Sequence, residues 1–101
     1  MAGPTLRAEA AADLRQAAQW YEGERPGLGQ EFTRAVRALL AAVGREPARF
    51  PRVGGGARED VRRALLRRFP YAVYFVIAPE DVVVLACLHV RRDPQVWQSR
   101  R

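Results

Sequence analysis

Residues 61–90 read VRRALLRRFPYAVYFVIAPEDVVVLACLHV. Three runs rich in β-branched and aromatic residues stand out, at about Val61–Arg67, Tyr71–Ile77 and Val82–Val90. Such side chains are stiff and suit a pleated strand. Only Arg68-Phe69-Pro70 and Ala78-Pro79-Glu80-Asp81 separate the runs. A parallel pair needs a crossover of roughly a dozen residues or more, so these strands form an antiparallel meander. Tyr71–Ile77 is apolar on both faces and is expected at the centre. Strict alternation puts Val83, Leu85, Cys87, His89 and Arg91 on one face of the last strand, with Val82, Val84, Ala86, Leu88 and Val90 on the other. In the first strand Arg63, Leu65 and Arg67 share a face, opposite Arg62, Ala64, Leu66 and Arg68.

Upstream the propensity changes. Twelve of the 17 alanines fall before residue 51, and nine of the 11 valines after it. Ala10, Leu14, Ala17, Ala18 and Tyr21 recur at spacings of three and four, predicting a helix over about 8–22 with Asp13 and Arg15 off its stripe. Gly23 and Pro26 end it. Leu28, Phe32, Val36, Leu39, Leu40 and Val43 predict a second helix over about 28–44, with Glu31 near its start and Arg45 near its end, the order a helix dipole favours. A link this short makes an antiparallel helical hairpin. Pro47 and Pro51 bracket an irregular stretch. Gly54-Gly55-Gly56 reads as a loop, because no Gly-Lys-Ser/Thr follows to make a phosphate cradle. Asp93-Pro94 sets an N-cap and first position for a short C-terminal helical turn. Helices on one face of an antiparallel sheet define an α+β fold.

Length and composition narrow the classes. The 101 residues suffice for one domain, 1–101, and Leu, Val, Ile and Phe total 25, enough for a core. The longest charge-free stretch, Phe69–Pro79, is too short to span a membrane. Met1–Arg7 has no apolar signal region, and one cysteine makes no internal disulfide, so a reducing cytoplasm is expected. Cys87 with His89 is a poor metal site, and no cofactor is expected. One serine, Ser99, all but excludes a Ser-His-Asp hydrolase. All 17 basic residues are arginine, against 11 acids, for a formal net charge of +6. Residues 51–101 carry ten of those arginines and five acids, so an anionic partner is expected for that half. GC-rich codons alone would also favour arginine over lysine.

Five segments occur in a telling order. They are Ala12-Asp13-Leu14 with Trp20-Tyr21-Glu22; Pro26-Gly27-Leu28-Gly29 with Phe32; Pro47-Ala48-Arg49-Phe50-Pro51; Arg67-Arg68-Phe69-Pro70-Tyr71-Ala72-Val73-Tyr74; and His89-Val90-Arg91-Arg92-Asp93-Pro94 with Trp97. Together they resemble the RelE/ParE superfamily of bacterial toxins from type II toxin–antitoxin modules, especially its ParE-like, plasmid-stabilisation branch. The resemblance covers residues 8–100. It implies the order strand, two helices, three-stranded meander, and hence a three- to four-stranded sheet. It also implies a cognate antitoxin whose disordered C-terminal segment folds on the toxin in a hetero-oligomer. Gly3 and Pro4 make Met1–Arg7 poor strand material, and a weak first strand would leave a sheet edge open.

The superfamily does two unlike jobs. RelE-like members cut mRNA on the ribosome, whereas ParE-like members poison DNA gyrase. RNA cleavage needs a base, an acid and a cation for the phosphorane. Lysines commonly serve RelE-like enzymes so, and this chain has none. Arginine is a poor proton shuttle. His89, with Arg67 and Arg91, is the candidate nuclease set; Glu59, Asp60, Tyr71 and Tyr74 are the other titratable groups. A structural role for His89, bonded to main chain or to Asp93, outweighs a catalytic one. The constellation is depleted as a nuclease, which favours the gyrase inhibitor. A third reading is a non-toxic remnant that only binds antitoxin. For a protein partner the candidate surface is Arg63, Arg67, Arg91 and Arg92, whose guanidinium forks suit carboxylates, together with Trp20, exposed as an anchor. A solvated basic face is the plainer alternative for those arginines. Tyr21 and Trp97 are expected to be packing residues.

Overall fold

The structure, a computed structural model, describes residues 3–53, 60–91 and 95–100. The glycine run 54–56, Glu59, Arg92 and the Asp93-Pro94 cap lie outside the described residues. The elements run β1 (Thr5–Leu6), α1 (Ala8–Glu24), α2 (Leu28–Arg45), a 3₁₀ turn (Pro47–Arg49), β2 (Arg62–Leu65), β3 (Tyr71–Ile77), β4 (Val82–His89) and α3 (Gln95–Gln98). The strands form one sheet in the order β1-β4-β3-β2. The meander is antiparallel as expected. β1 joins it parallel to β4, through Thr5↔Val83 and Leu6↔Val84, so the sheet is mixed. Despite Gly3 and Pro4 a first strand forms, but it is two residues long.

The helical hairpin turns through Gly27, whose φ of 89° is left-handed and suits glycine. Glu22, in the last turns of α1, caps α2: its carboxylate accepts the N–H groups of Gly27 (2.9 Å) and Gly29 (3.0 Å). Ala10, Ala17 and Tyr21 from α1 and Phe32, Val36 and Val43 from α2 are buried against one sheet face, where Val73, Phe75, Val84 and Cys87 meet them. The outer face has its own cluster. Val61, Ala72, Tyr74, Val76, Leu85 and Leu88 lie there beneath Trp97 of α3, whose ring stacks on Tyr74 at 5.2 Å. A sheet buried on both faces explains why β3 and β4 read as unbroken apolar runs.

Two expectations need correction. The strand expected over Val61–Arg67 ends at Leu65, because the Leu66 N–H closes the hairpin onto the Tyr71 carbonyl (3.0 Å) and Arg67–Pro70 is the turn. Strict alternation also fails in β4. Tyr74 pairs with Ala86 and Phe75 with Val84, leaving Leu85 as the extra residue of a bulge. The bulge shifts the phase by one. Val84 and Cys87 therefore pack toward the helices, while Leu85, Ala86 and Leu88 pack outward.

Candidate functional site

Beside α1, the outward side of β4 beyond Val84 has no strand neighbour among the described residues. A groove of about 550 Å³ opens there. Gln16, Trp20 and Tyr21 form its helical wall, and Tyr71, Leu88 and His89 its sheet wall. Trp20 is 59% exposed, and its ring meets Tyr21 edge to face at 5.0 Å. Tyr21 in turn touches Phe32, Phe69 and Tyr71, so the exposed Trp20 ring rests on a packed aromatic base. Burial, and then Tyr71 beside it, raise the Tyr21 phenol above its ordinary value.

His89 stands at the rim of this groove. Its Nδ1 accepts the Arg91 N–H (3.2 Å), and its ring lies edge to face with Tyr71 at 5.5 Å. This main-chain bond fixes which ring nitrogen is the acceptor. Asp13 and Cys87 also line the groove. Burial, with Asp13 nearby, pushes the Cys87 thiol up to about 12, which leaves it un-ionised and unreactive at neutral pH. Among the described residues no three His, Cys, Asp or Glu side chains are placed to hold a metal. Among them also, no helix is long and apolar enough to cross a membrane.

The arginines divide by what they touch. Arg67 and Arg91 are exposed and follow the ends of β2 and β4, which lie side by side with the start of β3 at one end of the sheet. Trp20 and His89 flank that same end on the helix side. Arg63 sits on the outer face opposite Tyr74, half-buried, its Nε without a hydrogen-bond partner among the described residues, and so apart from the groove. Arg68 bonds Glu31 and caps the Phe69 ring at 5.1 Å; Arg25 adds a bond to Glu31 at 3.3 Å. The hydrogen bond from Arg68, more than any other cause, holds the Glu31 carboxyl below its ordinary value. Arg62 is structural, donating to the carbonyls of Phe50 (2.6 Å) and Ala48 (3.2 Å).

Sequence reasoning missed Asp13 and Arg100. Asp13, expected off the stripe of α1, faces the sheet edge with its side chain 10% exposed. It accepts the Cys87 N–H (3.0 Å) and pairs with both terminal nitrogens of Arg100 (2.6 and 3.2 Å). A signal was present: Asp13 lies three residues after Ala10 and four before Ala17, which is stripe spacing.

Residues 5–94 match the model of a family described as the ParE toxin of the type II toxin–antitoxin system, parDE. A solved chain from the chromosomal ParDE toxin–antitoxin system of P. aeruginosa superposes with a TM-score of 0.76 at 18% identity, over 88% of this chain and 96% of that one. No curated protein matches. The fold is that of a toxin of type II toxin–antitoxin modules. Within that class, the chain belongs to the ParE toxin family.

Proposed function

We propose that the chain arrests DNA gyrase in the cytoplasm and is neutralised by a cognate antitoxin whose C-terminal segment lies in the groove between α1 and the β4 edge. The groove itself carries the reading: a cleft lined largely by aromatic and apolar side chains and including an exposed tryptophan, with Arg67 and Arg91 at the same end of the sheet. Aromatic and arginine side chains so placed are what a partner segment with acidic and apolar residues needs. Arg92 adds charge next to Arg91 in the sequence, and Arg63 contributes to the basic half from the outer face. Gyrase rather than RNA is favoured by family membership and by the poverty of proton-transfer groups. The chain has no lysine, and among the described residues the ring of His89 is hydrogen-bonded to main chain.

The test is induction of the chain alone and together with its adjacent antitoxin gene. Gyrase-dependent DNA breaks and filamentation, with transcript ends unchanged and relief on co-expression, are expected. New transcript ends on ribosome-bound mRNA would instead establish a nuclease, in which His89→Ala should slow cleavage. Harmless expression at confirmed soluble levels would leave an antitoxin-binding remnant.

A further inference from the structure

Val82–Val90 reads VVVLACLHV, nine residues without an arginine, a lysine, a carboxylate, a proline or a glycine. Segments of this composition pair with copies of themselves when an edge is open. Native edges are blunted by charges, prolines, bulges or cover. On one side β4 is paired with β3 along its length. On the other, β1 reaches only Val83 and Val84, with the Arg7 N–H adding a bond to the Val84 carbonyl (3.0 Å). The strand carries no protective charge of its own.

Past the end of β1, side chains take over that edge. Arg100 Nη1 donates to the Leu85 carbonyl (3.3 Å), and the Cys87 N–H donates to Asp13 Oδ2 (3.0 Å). A neighbouring strand would engage β4 in the same way, offering a donor to one carbonyl and an acceptor to the next outward N–H. The two side chains are clamped to each other, and Arg7 Nη1 holds the Arg100 carbonyl at 2.8 Å. The bulge at Leu85 adds local twist at the same place. The pair thus stands where a longer β1 would have continued.

We propose that Asp13 and Arg100 act as a side-chain substitute for the missing length of β1, guarding β4 against edge-to-edge pairing with a second copy of this chain. A second copy fits the edge it would meet. Two β4 strands related by a two-fold axis bring no arginines and no carboxylates opposite one another over Val82–Val90. Trp20, 59% exposed beside this edge, would be covered by the same contact. The guard acts by occupying the two outward main-chain groups and by placing an ion pair where an apolar strand would have to lie. The edge borders the groove proposed for the antitoxin, but the guard concerns the free chain, and no antitoxin or target takes part in its test.

The experiment compares the full wild-type chain with Arg100→Gln, Asp13→Asn and the double variant Arg100→Gln/Val90→Lys. Light scattering after size exclusion over a concentration series reads assembly, and circular dichroism reads folding. The wild type should stay monomeric. Arg100→Gln should keep its fold and self-associate at concentrations roughly tenfold lower or more, a factor within reach of two unmade hydrogen bonds. Val90 is 43% exposed directly after the end of β4, so lysine there should restore the monomer by charging that end of the edge. A folded Arg100→Gln chain as monomeric as the wild type overturns the proposal, as does assembly that Val90→Lys leaves untouched. If Arg100→Gln fails to fold, Asp13→Asn decides, because asparagine keeps an acceptor for Cys87 but loses the ion pair. A folded, fully monomeric Asp13→Asn chain overturns the proposal, and its self-association supports it.

Discussion

Gly29 has room for a hydrogen and nothing larger. A Cβ built there would lie 2.6 Å from the Ala18 carbonyl oxygen and 3.0 Å from the Glu22 carboxylate that caps α2. Backbone on a packed helix cannot retreat cheaply, so Gly29→Ala must push α2 away from α1 and loosen the cap. We expect a loss of about 1–3 kcal/mol, read as a lower midpoint in urea. Gly23 is the control. It too is helical, but a Cβ there meets nothing within 4 Å, so Gly23→Ala should be neutral or stabilise by up to about 1 kcal/mol. Cys87 offers a second measurement at this scale. With its thiol held near 12 by burial, it should resist alkylation at pH 8 in the native chain and react only on unfolding. Its raised value also sets a sign. Below the unfolded value of about 8.5 the thiol is neutral in both states and nothing changes. Above it the unfolded chain ionises first, so stability should fall as pH climbs from there toward 12.

At the scale of elements, the tie between hairpin and sheet is aromatic. Phe32 of α2 is fully buried, and its ring meets Phe69 and Tyr71 at 5.2 Å each and Tyr21 at 5.2 Å. One side chain thereby joins both helices to the β2–β3 turn. Phe32→Ala should cost about 3–5 kcal/mol, a large part of the roughly 5–15 kcal/mol that holds such a chain folded. Chemical denaturation of the two chains side by side measures it. These elements were legible because their periodicity is strong: the α2 stripe and the valine-rich runs are each a local signal. The bulge was not legible, for a physical reason. In VVVLACL both faces are buried, so no polar residue marks the phase, and an added residue changes nothing in the pattern. β1 was visible only through the family resemblance, since two residues are too few to show a period. Of the groove, Trp20 could be read as exposed, because it falls off the stripe of α1. Its opposite wall could not, because it depends on His89 keeping company with Tyr71 across a register that the bulge sets. Asp13 sat on the α1 stripe as a charge, which is a readable oddity. Its partner Arg100 lies 87 residues away, beyond any local pattern.

The whole molecule carries a formal charge of +6, and the described part shows that this charge is unevenly available. Arg62, Arg68 and Arg100 are engaged with carbonyls or carboxylates, whereas Arg67 and Arg91 stand exposed at the groove's end of the sheet. An acidic antitoxin segment would feel the net charge at long range and the two exposed guanidinium groups on contact. These act on different rate constants. Long-range attraction speeds encounter and is screened within about 8 Å at physiological ionic strength, while buried apolar contact slows departure and is nearly indifferent to salt. Association of the purified chain with its antitoxin should therefore slow steeply as salt is raised, with dissociation changing little. Arg67→Gln/Arg91→Gln should lower the association rate and flatten its salt dependence. Trp20→Ala should leave that dependence intact and instead speed dissociation, by roughly thirtyfold for a loss of about 2 kcal/mol at a central anchor. Stopped-flow or surface-based kinetics at several salt concentrations separates the two. If Trp20→Ala altered only the association rate, the tryptophan would lie outside the bound segment, and the groove between α1 and β4 would not be where the antitoxin sits.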